Sequence, residues 1–390
     1  MTSRKPAKPS SVTNVTRHVK EFNRLQLVVR AGGMCQFDGC RDYLLEHHVT
    51  LDRKLFAQVA HIVAWSERGP RGDEKPRPAD INDIDNLMLL CPKCHTLVDD
   101  EPDRFTVAVL KDYKQAHEDR IRHLTSLAPD MKTSVVQLKS LVRGQAVDIP
   151  ISHVTAAVAP RYPVDRQGTV IDLTTITATG PAFCEAAMQS IRQKIERLYE
   201  PGMDVERTQH ISLFALAPIP LLVYLGSRLS NKIPVDLFQR HRDTDDWVWK
   251  KEGEPIEYRF HLRQPGTDRQ KVALLIALSG PIDLATIPEE VRRDGFLYEI
   301  TLAEGVPTTR TCLRLPQDLT NFRRTYETAR RTILRDHGTI PELHLFAGAP
   351  APVAVACGLD LLPQVDPTLL VYDNNQSTGG FTYTLRINEP

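Results

Sequence analysis

The chain has 390 residues, of which 41% are hydrophobic and 25% charged, a composition typical of a folded protein with two or three domains. Its 49 basic and 49 acidic residues leave a formal net charge of zero, which excludes binding of nucleic acid by bulk positive charge but not by a local basic patch. No apolar run approaches about eighteen residues and the N-terminus has no apolar signal segment, so we expect a cytoplasmic protein without a membrane span.

The first predicted domain is a small α+β unit over residues 19–127. Residues 1–18 are rich in Ser, Thr, Pro and Lys, and we expect a disordered tail there. After it come a helix that ends near Gly32, a strand, a loop rich in Pro and Gly, a short apolar strand with a helix beginning near His95, and a long helix. The predicted ranges of these elements are 19–30, 54–65, 66–86, 87–90 and 105–124.

The second predicted domain covers residues 165–390 and follows a connecting segment, 128–164, whose alternating pattern favours strands that pack on it. Strands then alternate with helices, which is typical of an α/β domain with a mostly parallel sheet. A strand, the letters APIP and a helix near 213–225 recur as a strand, GAPAP and a helix near 345–358, which indicates an internal duplication. Further strands are predicted at 168–176, 235–241, 256–264, 271–280, 310–315 and 368–375, and helices at 182–199 and 319–338.

The seven cysteines divide into two groups. Cys35 and Cys40 form one pair, and Cys91 and Cys94 form a second pair fifty residues further along. The other three are scattered in apolar surroundings, where we expect buried thiols. In a cytosolic protein, paired cysteines favour a metal over a disulfide, and four thiolates in two short knuckles favour a closed tetrahedral zinc site. A closed site has no open coordination position, so the predicted zinc is structural.

His61, Asn86 and His95 follow one another in frame with the cysteine pairs. The motif reads AHI at 60–62, DNLMLLC at 85–91 and CH at 94–95. On these residues, the stretch from about 20 to 125 resembles the HNH nucleases of the ββα-metal class, in the version braced by two cysteine pairs. The resemblance implies an HNH endodeoxyribonuclease, a phosphodiester hydrolase, with these three residues at the catalytic site.

The residue types suit this chemistry. Phosphodiester hydrolysis needs an activated water, and a neutral imidazole near pH 7 can take its proton, a role that we assign to His61. A divalent ion must neutralise charge on the scissile phosphate and the leaving oxygen, and we expect His95 to bind that ion. By the family resemblance, Asn86 would hydrogen-bond the backbone around His61 and hold it in place.

The position before His61 departs from the family pattern. Many members have a metal-binding acid there, whereas this chain has Ala60. Gln58 lies on the same strand face as residue 60 and could offer its carbonyl oxygen or hold a metal-bound water. Asp99 lies one helical turn after His95, so Asp99, Gln58 or only water could complete the ligands of the ion. Oxygen-rich ligation with one imidazole favours Mg²⁺ or Mn²⁺ as the catalytic ion.

The loop between the two halves of the motif is basic. A loop of this kind could contact phosphates without reading the base sequence, or it could be an ordinary solvated loop, and the two interpretations stay open on the sequence alone. Its cationic residues are Arg68, Arg71, Lys75 and Arg77.

The C-terminal half carries a second resemblance, through the stretches 224–249, 273–283 and 342–375. Together with the HNH half, they resemble the HNH–SAVED effector endonucleases of CBASS antiphage systems. The resemblance implies a SAVED domain of two fused CARF-like Rossmannoid halves that binds a cyclic di- or trinucleotide made by a cognate nucleotidyltransferase. It also implies a homo-oligomer, passing from dimer to tetramer on activation, and non-specific degradation of double-stranded DNA.

Candidate ligand residues lie after the predicted strands of this half. Open α/β sheets bind ligands beyond the carboxyl ends of their strands, where small residues admit a phosphate, arginines pair with it and aromatic rings stack on bases. No GxGxxG or Walker A motif is present, which argues against a nicotinamide or ATP cofactor. The predicted ligand residues are Arg240, Trp249, Ser279, Gly280, Phe346, Gly348 and Tyr372.

The sequence therefore favours a metal-dependent DNA endonuclease that a cyclic oligonucleotide activates. The alternative is a restriction-type HNH endonuclease whose C-terminal domain recognises DNA without second-messenger control, and the zero net charge argues mildly against it. A third interpretation, a non-enzymatic zinc-stabilised binding module, is disfavoured by the order of His61, Asn86 and His95.

Overall fold

The computed structural model divides into two compact units, Met1–Ala128 and Pro129–Pro390. It describes residues 18–47, 49–142, 145–165, 167–199, 209–229, 233–375 and 379–388. The predicted disordered tail, apart from residue 18, lies outside these residues, and the predicted domain boundaries at 127 and 165 stay predictions. Across the described ranges, no helix has both the length and the apolar character needed to cross a membrane.

The first unit is built on an antiparallel hairpin followed by a helix. Strand β1 pairs with β2 so that Gln58 lies opposite Leu90 and His61 lies opposite Leu87. The order β1–β2–α2 is a ββα arrangement and confirms the α+β class predicted for this half. The elements are α1 (Glu21–Arg30), β1 (Gln58–His61), β2 (Leu87–Leu90), α2 (Pro92–Asp100) and α3 (Val107–Thr125).

Strand β1 is shorter than the predicted strand 54–65. Directly after His61, the backbone N–H of Ile62 donates to the carbonyl oxygen of Asn86 at 2.8 Å. The N–H of Val63 donates to the side-chain oxygen of Asn86 at 2.9 Å. The backbone N–H groups of Ile62 and Val63 thus bond to one asparagine rather than to a strand ladder, and His61 stands at the end of its strand.

A buried polar link ties β2 to α3. Gln36, which is fully buried, accepts a hydrogen bond from the N–H of Leu89 at 2.7 Å and donates one to Glu118 at 3.1 Å. Lys114, also buried, pairs with the same carboxylate. Every member has a partner, so the charges avoid the cost of several kcal/mol that an unpaired buried ion carries.

The second unit contains two sheets. The five-stranded sheet has the order β6–β3–β8–β9, with β7 paired to the other end of β3, and all its pairings are parallel. Its elements, in chain order, are β3 (Lys132–Lys139), β4 (Leu141–Val142), β5 (Gln145–Ala146), α4 (Ile151–Val158), β6 (Tyr162–Pro163), β7 (Thr169–Asp172), α5 (Gly180–Leu198), β8 (Ile211–Leu216), α6 (Ile219–Leu229) and β9 (Val235–Phe238), where β4 and β5 form a separate small hairpin.

The six-stranded sheet has the order β10–β12–β11–β13–β14–β15, with parallel pairing in the middle and an antiparallel strand at each edge. All six residues of β11 are buried, as expected for a parallel strand covered on both faces. Its elements are β10 (Tyr258–Gln264), β11 (Val272–Ala277), α7 (Glu289–Arg292), β12 (Phe296–Leu302), α8 (Pro316–His337), β13 (Glu342–Gly348), α9 (Ala351–Leu359), β14 (Thr368–Asn375) and β15 (Gly380–Ile387).

The predicted internal repeat corresponds to β8–α6 in one sheet and β13–α9 in the other. The two helices pack closely, because Gly226 on α6 and Gly358 on α9 have no side chain where the helices cross. A Cβ on Gly226 would lie 2.0 Å from the carbonyl oxygen of Val355, and a Cβ on Gly358 would lie 1.9 Å from that of Val223. The helix pair therefore joins the two sheets, and the backbones of α6 and α9 are in direct contact at the two glycines.

Residues 310–315 do not form the predicted strand. The N–H groups of Arg314 and Leu315 donate to the carboxylate of Asp318 at 2.9 and 2.8 Å, so they are not available to a neighbouring strand. Asp318 lies in the first turn of α8, and the segment thus serves as the entry to that helix. Two strands that the sequence analysis does not predict, β12 and β15, complete the six-stranded sheet.

Candidate functional site

Four cysteine sulfurs of the first unit converge on one point. The sulfurs of Cys35, Cys40, Cys91 and Cys94 all lie within 4.8 Å of one another, and those of Cys40 and Cys91 are 3.9 Å apart. Ligands at about 2.3 Å from a tetrahedral zinc ion lie about 3.8 Å from each other, so this donor set fits zinc. In the described part of the chain, no other group of three or more His, Cys, Asp or Glu side chains brings its ligand atoms this close.

The cysteine cluster also begins helix α2. Cys91 is the N-cap residue, and its sulfur accepts a hydrogen bond from the N–H of Cys94 at 3.4 Å. Pro92 follows at the first helical position, where its missing N–H costs nothing. Burial raises the pKa of the Cys35 thiol to about 12 and also raises that of Cys94. Sulfurs this hard to ionise in a protein interior need a positive partner such as a metal ion to become thiolates.

His61 is held by an asparagine that the sequence analysis does not single out. Its Nε2 lies 3.0 Å from the Oδ1 atom of Asn82, a buried side chain in the loop before β2. An amide oxygen only accepts hydrogen bonds, so Nε2 carries the proton and Nδ1 is the nitrogen that can accept one. Asn82 thus selects the tautomer in which His61 could act as a base through Nδ1.

Asn86 braces the chain directly after His61. Its Nδ2 donates to the carbonyl oxygens of Val63 at 3.0 Å and Ile81 at 2.9 Å, and its Oδ1 accepts from the N–H of Val63. The side chain is only 3% exposed and uses both its donor and its acceptor groups. This is the backbone contact predicted for Asn86, and it fixes the path by which the chain leaves β1.

His95 contacts both residues that could complete the ligands of the catalytic ion. Its Nδ1 lies 2.5 Å from the Oε1 of Gln58 on β1, and its Nε2 lies 3.5 Å from the Oδ2 of Asp99. His95 and Asp99 are four residues apart on α2, so they share one face of the helix. The structure thus brings together all three side chains predicted for the catalytic metal site.

Arg71 and Arg77 are structural residues of the basic loop and do not extend into solvent. Arg71 is 8% exposed and donates to the carbonyl oxygens of Ile62 and Val98 at 2.8 and 2.6 Å. Burial lowers the pKa of its guanidinium, while Asp99, 3.2 Å away, opposes that change. Arg77 donates to backbone carbonyls of the same loop, including that of Ala64 at 2.9 Å. These two side chains are therefore unavailable to phosphates in this arrangement, whereas Arg68 is exposed.

The two histidines have different hydrogen-bond partners. His61 bonds to Asn82 in the loop before β2, and His95 bonds to Gln58 and Asp99. Arg71 contacts both regions, because it reaches the residue after His61 and the carboxylate of Asp99. Sequence reasoning missed the roles of Asn82 and Arg71 because their contacts are long-range. In the sequence, the only indication of a role for these two residues is their position in the loop between the two motif halves.

In the second unit, the carboxyl ends of β11 and β13 bring three predicted ligand residues together. The N–H of Ser279 donates to the carbonyl oxygen of Gly348 at 2.7 Å. A Cβ on Gly348 would lie 4.0 Å from the carbonyl oxygen of Gly280, and a Cβ on Gly280 would meet nothing within 4 Å. Ser279, Gly280 and Gly348 thus form a small, open edge at the end of the parallel strands.

Arg240 and Trp249 lie in and after the loop that follows β9. Arg240 is partly buried and pairs with Asp245 at 2.5 Å, so a ligand phosphate would compete with that carboxylate. Trp249 is partly buried, packs against the core and meets the ring of His241 edge-on at 5.7 Å. Neighbouring Trp247 is 1% exposed and stands edge-on to Phe214 in the core.

Phe346 and Tyr372 lie inside the second unit rather than at its surface. Their rings stack on each other with centroids 4.3 Å apart, and they are 0% and 5% exposed. The hydroxyl of Tyr372 is also engaged, at 2.9 Å from the Nδ1 of His344. Rings that cover each other in this way offer no free face to a base, so these two positions are corrected to core residues beneath the strand ends.

Two family models match the chain. The model of HNH endonucleases matches residues 35–101, the range that contains both cysteine pairs and His61, Asn86 and His95. The model of the SMODS-associated and fused to various effectors sensor domain, SAVED, matches residues 191–387, which is half of the chain. The sequence matches no curated protein sequence.

Similar solved structures are receptors with SAVED/CARF domains. The Cap4 receptor of Acinetobacter baumannii with the cyclic trinucleotide 2'3'3'-cAAA is 12% identical, with a TM-score of 0.42 over 80% of this chain and 65% of the receptor. The same receptor with 3'3'3'-cAAA is 14% identical at the same TM-score and coverage. The Cap4 receptor of Moraxella osloensis is 13% identical, with a TM-score of 0.38 over 75% of this chain and 60% of the receptor.

The chain thus spans less than two thirds of the length of these receptors. At such TM-scores, the likeness assigns neither a fold nor a ligand. The family matches carry the assignment instead: the HNH match covers the ββα arrangement with its cysteine cluster, and the SAVED match covers residues 191–387 of the second unit, including its repeated strand–helix pair. This chain belongs to the SAVED sensor-domain family and carries an HNH endonuclease domain at its N-terminal end.

Proposed function

We propose that this protein is a cytoplasmic endonuclease of an antiphage, abortive-infection system, whose HNH domain degrades double-stranded DNA when its SAVED domain binds a cyclic oligonucleotide. The observation that carries the proposal is the presence in one chain of an HNH endonuclease domain, with its two histidines held in place, and of a SAVED sensor domain. A sensor joined to a nuclease is the arrangement expected when cleavage must stay off until a signal arrives.

In the proposed reaction, His61 is the general base. Asn82 holds the Nε2–H of the ring, so Nδ1 takes the proton of the attacking water. Asn86 fixes the backbone on the carboxyl side of His61 and keeps the ring at the end of β1. Neither asparagine contacts the reacting atoms in this scheme, and both act by orienting the base.

His95 and Asp99 are the side chains that would hold a catalytic Mg²⁺ or Mn²⁺, with Gln58 beside them. A separation of 3.5 Å between His95 Nε2 and Asp99 Oδ2 is close to the roughly 3 Å between neighbouring ligands of a six-coordinate ion of this size. When bound, such an ion neutralises charge on the scissile phosphate and the leaving oxygen. The four cysteines would bind a separate, structural Zn²⁺ that fixes the start of α2.

The second unit would supply the activating site at the carboxyl ends of its strands. Ser279, Gly280 and Gly348 form an open edge where a backbone can approach a phosphate. Arg240 and Trp249, in and after the loop that follows β9, stay the candidates for a phosphate contact and a base contact. We propose that a cyclic di- or trinucleotide from a cognate nucleotidyltransferase binds there and favours an assembled state, from dimer to tetramer, in which the HNH domain is active.

The test is degradation of a supercoiled plasmid by the full-length protein with Mg²⁺, with and without a panel of cyclic di- and trinucleotides. Smearing of the plasmid only with one of the ligands supports the proposal. Discrete fragments that form without any ligand would instead support a restriction-type HNH endonuclease whose C-terminal domain recognises DNA. No cleavage in any combination of ligand and divalent ion would leave only a zinc-stabilised binding module.

A further inference from the structure

His95 and Asp99 each have a partner that fixes the direction in which they present a ligand atom. Building on the proposed nuclease function, we propose that Gln58 and Arg71 are positioning residues. They hold His95 Nε2 and Asp99 Oδ2 as a preformed pair of ligand atoms for the divalent ion.

Gln58 determines which nitrogen of His95 is free to coordinate. The amide oxygen of Gln58 lies 2.5 Å from Nδ1 of His95 and can only accept a hydrogen bond. The proton of the neutral ring therefore resides on Nδ1, and Nε2 keeps its lone pair on the side of Asp99. A metal-binding histidine commonly donates its other N–H to an oxygen in this way, which fixes its tautomer and the plane of its ring.

Arg71 determines how Asp99 presents its carboxylate. Its Nη2 lies 3.2 Å from Oδ1 of Asp99, while Oδ2 is turned towards His95 Nε2 at 3.5 Å. One guanidinium thus holds one carboxylate oxygen and leaves the other directed at the imidazole. Rotating Asp99 away would leave the buried, charged Arg71 without its acidic partner, which is costly.

The same guanidinium connects this pair to the segment that carries the proposed base. Arg71 donates to the carbonyl oxygen of Ile62, the residue after His61, and to that of Val98, the residue before Asp99. Three different groups therefore fix its plane, and it cannot move without disturbing both the end of β1 and helix α2. Arg71 is for this reason a positioning residue for the whole site and not a phosphate contact.

The experiment measures Mn²⁺ binding to the full-length protein by electron paramagnetic resonance of the free ion, without DNA and without turnover. Gln58→Leu and Arg71→Lys should weaken binding by about 10- to 100-fold, the usual effect of losing a partner that orients a ligand. Gln58→Glu should bind Mn²⁺ as the wild type does, because a carboxylate also accepts from Nδ1–H. Gln115→Leu, the same change at an exposed position on α3, is the matched control and should have no effect.

Each outcome bears on a different part of the proposal. If Gln58→Leu kept wild-type affinity, or if Gln58→Glu lost affinity as the leucine variant does, the role of Gln58 would be overturned. If the wild type bound no more Mn²⁺ than a His95→Ala variant, the metal assignment of the proposed function would itself fail. Zinc content per chain reports folding of the first unit, and because Gln58 is exposed, its variants test the inference even if Arg71→Lys does not fold.

Discussion

Gly226 of α6 and Gly358 of α9 face the backbone of each other's helix, in positions that correspond within the internal repeat. A Cβ at either glycine would lie 2.0 Å or less from a carbonyl oxygen of the partner helix, a distance that no side chain accepts. The letters A-P-x-P-x-x-V-x-x-G run from residue 217 to 226 and again from 349 to 358. The repeat in the sequence is therefore also a contact in space, and it joins the two sheets of the SAVED domain.

Replacing one of these glycines should destabilise the second unit. Gly226→Ala should lower its free energy of unfolding by roughly 1–3 kcal/mol or more, because the added methyl group forces the helices apart. Urea denaturation of the full-length protein, followed by circular dichroism, measures the change. Gly280→Ala is the control, since a Cβ there meets nothing within 4 Å. Equal stability of the two variants would mean that the helix crossing is not as close as described.

Loss of the cysteine cluster should unfold the first unit and spare the second. Cys94→Ser should reduce bound zinc from about one ion per chain to almost none, since three ligands hold the ion far less tightly than a closed set of four. Metal analysis of the purified protein and hydrogen exchange of α2 report the two effects. Cys184→Ser, at a half-buried cysteine outside the cluster, should keep its zinc. Retention of zinc by both variants would contradict the four-cysteine assignment.

His61→Ala should abolish most cleavage while leaving the fold intact. Removal of a general base costs about 10²- to 10⁴-fold in rate, so we expect a fall of that size in ligand-activated plasmid degradation. Bound zinc should not change, because His61 is not one of the four residues of the cysteine cluster. His123→Ala, at an exposed histidine on α3, is the matched control. Wild-type cleavage by His61→Ala would remove His61 from the mechanism.

Binding of the cyclic oligonucleotide should respond to charge at the open edge of the six-stranded sheet. Gly280→Asp should lower the affinity for the activating ligand by at least about tenfold, because the carboxylate would repel a phosphate at short range. Gly280→Asn has nearly the same size without the charge and should bind more tightly than the aspartate variant. Isothermal titration calorimetry with the activating ligand compares the two, and equal affinities would place the phosphates elsewhere.

The first unit should become less stable in weak acid through His117. The ring donates from Nε2 to the carbonyl oxygen of Ala31 at 3.0 Å, and its Nδ1 accepts from Arg120 at 3.1 Å. Both nitrogens of the buried ring therefore have hydrogen-bond partners that match its neutral form. Burial lowers its pKa below the ordinary value, and the Arg120 and Lys114 charges add to that effect, although Ala31 and Glu118 oppose it. In the unfolded chain His117 takes up a proton near pH 6.5, whereas in the folded chain it does so only at a lower pH. The free energy of unfolding therefore falls as the pH drops below about 6.5.

This dependence can be isolated with one substitution. His117→Gln can still donate to Ala31 but does not titrate, so it should lose less stability than the wild type between pH 7.5 and 5.5. Hydrogen exchange of α3 amides, corrected for the intrinsic rate at each pH, measures the free energy of opening. His123→Gln is the same change at an exposed position of the helix and should follow the wild type. A wild-type slope in His117→Gln would show that other groups govern the acid response.

The parts of the site that the sequence predicts are those with short, fixed spacing. Cys91, Cys94 and His95 lie within one turn of the start of α2, so their relative placement follows from the helix itself. The four-cysteine site is also predictable, although fifty residues separate its two pairs, because paired cysteines in a reducing compartment favour metal binding over a disulfide. In contrast, Asn82 contacts the His61 ring 21 positions away in the chain, and Arg71 donates to the backbone carbonyl oxygens of Ile62 and Val98. No residue pattern in the sequence marks partners of these kinds.

The fold was predicted less well where polar residues are buried in strands. Strand β12 contains Glu299, which is 8% exposed and pairs with Arg263 on β10. A charged residue in the middle of an apolar run hides the strand from a pattern-based prediction, because the compensating charge lies on another strand. The opposite error concerns Phe346 and Tyr372, whose aromatic character suggested ligand stacking, although their mutual packing places them in the core.

Cys91 is both the residue that begins helix α2 and a ligand of the proposed zinc site. A newly synthesised chain that has not yet acquired zinc would therefore lack a firm start to the helix that carries His95 and Asp99. Metal loading would then be a maturation step that precedes any cleavage competence. Under the proposed function, in which cleavage of double-stranded DNA is non-specific, such a step would keep unfinished molecules harmless, independently of the proposed cyclic oligonucleotide signal.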